Sequence, residues 1–246
     1  MELSGKAALV AGGARMGETL ASRLAARGTA VALSYRSSRE AAERAVRAVR
    51  AAGGTAVALR ADLTNSADVA ALTTAAVGHL GRLDFLINLA SIYRRTPFDA
   101  LSDETLTDAL EVDLVSAYRL ARAAVPHLRA AGGGRIIHFA DWTAASGRPR
   151  YRGYVPYYVA KRALIGLTEA LALELAPDGI LVNAVAPGPI LPPRDLDASA
   201  EAAVERETPV GRWGGASAVA DVVIGLLESD FVTGETIRAD GGRHLK

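Results

Sequence analysis

Cysteine is absent from the 246 residues, which excludes disulfides, thiolate metal ligands and thiol nucleophiles together and fits a reducing compartment. The four histidines are far apart in sequence and suggest no metal site. An excess of either charge is missing too: 28 Lys plus Arg face 27 Asp plus Glu. No basic run gathers into a phosphate-tracking stripe, so nucleic acid is not an expected partner. The amino terminus, MELSGKAALVAGGARMG, has an acidic second residue and soon reaches a glycine-rich turn. It reads as neither a signal peptide nor a membrane span, and the expectation is a soluble, cytoplasmic protein without a membrane partner.

Half of the residues are hydrophobic, enough to bury a substantial core. Short apolar runs alternate with longer amphipathic ones. AALVAG, AVALSY, TAVALRAD, LDFLINLA, GRIIHFA, GILVNAVAPG and ETIRADGG read as strands. Helical spacing covers Gly17 to Arg27, Arg39 to Ala52, Ser66 to His79, Asp103 to Ala131, Tyr157 to Ala176 and Ser217 to Glu228. This alternation predicts an α/β fold, a doubly wound parallel sheet with helices on both faces. With no repeat, linker or composition break, residues 1–246 read as one domain. The pattern is weakest over residues 187–215, where Pro187, Pro189, Pro192, Pro193 and Pro209 follow a strand. A long segment beyond a strand's carboxyl end suits a substrate lid.

The first strand runs into AGGARMG, where backbone N–H groups and a helix start can receive a pyrophosphate. Gly12 and Gly17 are five apart, so the G-x-G-x-x-G template does not fit. The second strand ends in LSYRSSRE. In a dinucleotide fold this strand end faces the adenine ribose, where an acidic residue suits a free 2′-hydroxyl and arginine suits a 2′-phosphate. Arg36, Ser37 and Ser38 therefore favour NADP(H).

Lysine occurs only at Lys6, Lys161 and Lys246, so 25 of the 28 basic residues are arginine. The one interior lysine stands four residues after Tyr157, on the same helix face. An ammonium there is expected to lower the tyrosine's pKa from about 10 and make it a usable acid or base. Tyr154 has Tyr158 four residues on and gains no cation.

Taken together, these pieces resemble a short-chain dehydrogenase/reductase over essentially the whole chain. They are the early glycine turn, ADL at 61–63, INLAS at 87–91, YYVAK at 157–161, NAVAPGPI at 183–190 and TGETIRADGG at 233–242. The resemblance implies a seven-stranded Rossmann sheet, hydride transfer with a nicotinamide, Tyr157 as acid, Lys161 on the ribose, and a homotetramer. It also implies that Gly12, Arg15, Met16 and Gly17 form the phosphate turn. Asp62 and Leu63 would touch adenine, Asn88 and Ala90 would line the cofactor, and Pro187, Gly188 and Ile190 would flank the nicotinamide.

Three positions depart from the family pattern. Asp141 replaces the serine that polarises a substrate carbonyl, Asp113 replaces a relay asparagine, and Ala11 replaces a threonine. An ionised carboxylate accepts hydrogen bonds and donates none, so it suits substrate N–H groups better than a ketone oxygen. Pteridine reductases are similar in carrying aspartate there, in the Arg15-Met16-Gly17 turn ending, and in an aromatic after the N-A-S stretch. By that likeness Tyr93 would stack on a pterin, and Arg15 would reach cofactor phosphate or substrate. The resulting expectation is an NADPH-dependent reductase of a pterin or related nitrogen heterocycle, with Asp141, Tyr157 and Lys161 catalytic. The rivals are a carbonyl reductase of the oxoacyl-thioester or sugar type and a catalytically silent NADP(H)-sensing protein.

Overall fold

The computed structural model describes residues 1–193 and 196–246. Seven strands form one parallel sheet in the order β3-β2-β1-β4-β5-β6-β7. They are β1 (Ala7–Ala11), β2 (Ala30–Tyr35), β3 (Ala56–Arg60), β4 (Phe85–Asn88), β5 (Gly134–Phe139), β6 (Ile180–Pro187) and β7 (Thr236–Ala239). All residues of β1, β4 and β5 are buried, which is why these strands read as continuous apolar runs rather than alternating ones.

Helices α1 (Ala14–Ala25) and α2 (Arg39–Ala51) pack on one face, and α3 (Ser66–Leu80) lies on the other. The Asn65 side chain caps α3 by accepting from the Ala67 and Asp68 N–H groups. Ser102 and Thr105 close a capping box on α4 (Asp103–Leu110). The single helix expected over 103–131 is instead α4, a π-helical turn at Glu111–Val115, and α5 (Ser116–Ala130). Such a turn widens the helix by one residue, a feature that periodicity does not register. Here it carries Asp113, which is fully buried.

After β5 comes a short helix absent from the sequence reading, α6 (Trp142–Ala145). It precedes the long α7 (Val155–Leu175), which starts two residues before the expected Tyr157. Within 187–215, residues 194 and 195 lie outside the described residues, and α8 (Ala198–Glu207) is a helix that the proline-rich composition concealed. The last helix is α9 (Gly215–Glu228), which packs beside α1.

Strand order reverses between β1 and β4, whose neighbours run off in opposite directions. The loops beyond their carboxyl ends therefore diverge and leave a crevice, the usual ligand position in such sheets.

Candidate active site

Two cavities open along this crevice. The smaller, of about 340 Å³, is lined by Gly12, Arg36, Ser37, Ser38, Asp62, Leu63 and Ala90 among others. Gly12 and Gly13 adopt φ of 79° and 72°, a left-handed backbone open to glycine. A Cβ on Gly13 would come within 2.5 Å of Leu89 Cβ, and one on Gly12 within 3.2 Å of the Ala90 backbone. The turn thus keeps its backbone bare towards the cavity. Asp62 accepts from the Thr64 hydroxyl and N–H at 2.7 and 3.0 Å. Those bonds, with a smaller contribution from Arg36 and Arg60, hold its carboxyl below the usual range. The size, the bare turn and the cationic strand end fit the adenosine half of a dinucleotide.

Asn88 lines neither cavity. Its side-chain oxygen accepts the Ala90 N–H at 3.1 Å, so it shapes the end of β4 from beneath. Arg15 and Met16 border the larger cavity, and the Arg15 guanidinium donates to the Pro192 carbonyl. Gly17 is buried against Leu33 and the Gly12 carbonyl.

The larger cavity, of about 920 Å³, brings together Tyr93, Asp141, Tyr157, Lys161, Pro187, Gly188 and Ile190. The Tyr157 hydroxyl donates to Asp141 Oδ2 at 3.1 Å. The other carboxylate oxygen accepts the Thr143 N–H and hydroxyl at 2.8 and 2.5 Å, so Asp141 is also the cap that starts α6. Lys161, fully buried, donates to the Phe139 carbonyl at 2.6 Å and forms an ion pair with Asp113 at 2.9 Å. The second Asp113 oxygen accepts the Ile92 N–H.

This arrangement corrects one expectation. Burial first, then the charges of Asp141 and Asp113, push the Tyr157 hydroxyl well above its ordinary value. Lys161, paired with Asp113 and 5.7 Å from the tyrosine ring centre, does not offset this rise. Tyr157 is therefore held as a neutral proton donor.

Tyr93 packs face to face with Tyr154, ring centres 4.6 Å apart, and edge-on to Tyr157 at 4.9 Å. Burial and Tyr154 raise its hydroxyl pKa. Sequence reasoning set Tyr154 aside for want of a cation; its spacing three residues before Tyr157 was the available signal. Trp213, Tyr151 and Trp142 also line the cavity, brought there by separate segments.

A family model described as enoyl-(acyl carrier protein) reductase matches residues 10–244. The 3-oxoacyl-(acyl-carrier-protein) reductase of Staphylococcus aureus (strain N315) is 34% identical over 248 residues, covering 98% of each chain. A short-chain dehydrogenase/reductase from Serratia marcescens superposes with a TM-score of 0.91 at 34% identity, over 99% of this chain and 100% of that one. A 7α-hydroxysteroid dehydrogenase, solved with NADH and 7-oxo glycochenodeoxycholic acid, gives 0.91 at 28% identity, over 98% and 95%. These names do not carry the expected closeness to pteridine reductases. With family match, sheet order and the Tyr157–Lys161 pair in agreement, the chain belongs to the short-chain dehydrogenase/reductase family, oxidoreductases that use a nicotinamide cofactor.

Proposed function

We propose that this protein is an NADP(H)-dependent carbonyl reductase that converts a ketone to a secondary alcohol. The observation that carries this reading is the Tyr157 hydroxyl, set at the wall of the larger cavity 3.1 Å from Asp141 Oδ2. Reduction needs an acid at the carbonyl oxygen, and burial keeps this hydroxyl in the protonated form that the step requires. The oxoacyl reductase names among the relatives support the same substrate type. Arg36 with Ser37 and Ser38 supports NADP(H) over NAD(H).

A bound nicotinamide supplies the hydride that the carbonyl carbon receives. Tyr157 gives its hydroxyl proton to the carbonyl oxygen as the π bond opens. The phenolate left behind faces Asp141, and the repulsion between like charges drives its reprotonation from solvent. Lys161, fixed by Phe139 and Asp113, supports the tyrosine's helix face and offers its remaining donor capacity towards the cofactor ribose. Gly12, Asp62, Leu63 and Ala90 would hold the adenosine end, and Pro187, Gly188 and Ile190 would flank the nicotinamide. Segment 187–215, with α8, is proposed as the substrate lid. Exposed apolar side chains at Leu173 and Phe231 support assembly into several copies, in line with a homotetramer.

A second reading, reduction of a pterin or related nitrogen heterocycle, rests on Asp141. Its Oδ2 is an acceptor at the cavity wall, bonded to Tyr157, which Tyr93 meets at 4.9 Å. NADPH oxidation should be followed with a 3-oxoacyl thioester and with a dihydropterin, each beside Tyr157→Phe. Thioester reduction lost in the variant supports the carbonyl reading, and Asp141→Ser should then keep or raise it. Tyr157-dependent oxidation with the dihydropterin alone replaces that reading with the second. NADPH binding without turnover of either leaves a nucleotide-sensing protein.

A further inference from the structure

Four arginines surround the short helix α6, and three of them are committed. Arg162 and Arg238 donate to the carbonyls of Ala144 and Ala145, which close the helix's open end. Arg243 is nearly buried and donates to the Val204 carbonyl, the Thr208 hydroxyl and Glu207, tying α8 to the far wall. Arg150 differs. Its guanidinium lies 5.7 Å from the centre of the Trp142 ring, lines the larger cavity, and makes one long bond of 3.4 Å to the His244 carbonyl. Among the described residues it has no acidic partner.

Of the other charged groups on this cavity wall, all but Arg15 are held by a charged partner or by several hydrogen bonds. Lys161 pairs with Asp113, Arg243 with Glu207, and Asp141 receives Tyr157 and Thr143. Arg15 stands at the opposite, glycine-turn side, on Pro192. Between Tyr157 and Arg150 the wall is aromatic without a break. Tyr157 meets Tyr93, Tyr93 stacks on Tyr154, Tyr154 meets Tyr151 at 6.3 Å, and Tyr151 meets Trp142 at 6.3 Å. A proton donor stands at one end of an apolar strip and an unpaired guanidinium at the other.

We infer that Arg150 is an anion-reading residue of the substrate cavity, and that the substrate is a carbonyl compound with a flat or apolar body and an anionic group at its far end. The inference rests on the carbonyl-reductase reading for the reacting end alone. Trp142 holds the guanidinium by its face, and the one long bond to His244 leaves its other N–H groups without a partner, so a carboxylate can receive two parallel bonds. The aromatic strip offers the body an apolar surface between the two polar ends.

The test uses aryl methyl ketones bearing a para-carboxylate on tethers of zero to three methylenes, each beside its primary amide. With NADPH, the wild-type protein should favour at least one carboxylate over its amide by about tenfold or more in kcat/KM. In Arg150→Gln that ratio should fall towards one, and Arg152→Gln, at an exposed arginine off the cavity, should retain it. A ratio near one at every length overturns the inference, as does a preference that survives Arg150→Gln. Binding is read separately, as quenching of tryptophan fluorescence in the NADPH-loaded protein. If no ketone is reduced, the carbonyl reading fails alone, provided that a carboxylate still binds more tightly than its amide and loses that advantage in Arg150→Gln. Equal binding of acid and amide in wild type sinks the anion site whatever the turnover.

Discussion

The Tyr157 hydroxyl donates to Asp141 Oδ2 across 3.1 Å, so the proposed acid already holds its proton towards a carboxylate. Because burial and that charge raise the tyrosine's pKa, its protonated form persists further into alkali than a free tyrosine's. The kcat/KM for ketone reduction should therefore stay level from roughly pH 6 to 9 and fall only above that range. Asp141→Asn keeps the shape but removes the charge, and should bring the alkaline fall to lower pH. An unmoved limb in the pH–rate profile would show that Asp141 does not govern the acid.

Asp113 and Lys161 form the other decisive pair, both buried and 2.9 Å apart. Removing one partner leaves a buried charge without its match. Asp113→Ala should cost about 3–5 kcal/mol in urea unfolding, and Lys161→Met a similar amount. The double variant should cost clearly less than the two singles added, since neither charge then remains. Simple additivity would mean that the two groups do not stabilise each other.

Arg36 stands at the end of β2 on the smaller cavity, beside Ser37 and Ser38. Arg36→Ala should weaken NADPH binding by about 10- to 100-fold through loss of charge-assisted bonds, while NADH binding changes by about threefold or less. Titration by nicotinamide fluorescence reads both. Equal losses for the two cofactors would remove Arg36 from 2′-phosphate recognition.

His138 lies in β5, fully buried, with neither ring nitrogen hydrogen-bonded to a described group. Burial and the nearby Lys161 push its pKa down to about 4. The folded protein keeps it neutral, whereas the unfolded chain protonates it below about 6.5. Its contribution is therefore intact above pH 6.5 and declines as the pH falls to about 4, a loss of about 3 kcal/mol. His138→Asn should flatten that part of the stability profile. A parallel pair of curves would count against it.

Alternation of apolar runs and amphipathic spacing was enough for the parallel seven-stranded sheet, because strands buried on both faces cannot hide their hydrophobicity. That the glycine turn, Arg36 and Asp62 line one cavity, and Tyr157 and Lys161 another, was also legible as placement, since each depends on neighbours close in sequence or on one strand end. Other features needed tertiary structure. Asp113 reaches Lys161 only because a π-helical turn and a distant helix meet, and burial, with the charges of Asp141 and Asp113, raises the Tyr157 pKa where the local spacing suggests a fall. The aromatic strip and the unpaired Arg150 are assembled from the loop after β4, the segment between β5 and α7, and α6. Sequence names a residue's chemistry, but burial and the charges that surround it depend on segments far apart in the chain, and these decide whether a tyrosine is held as acid or base.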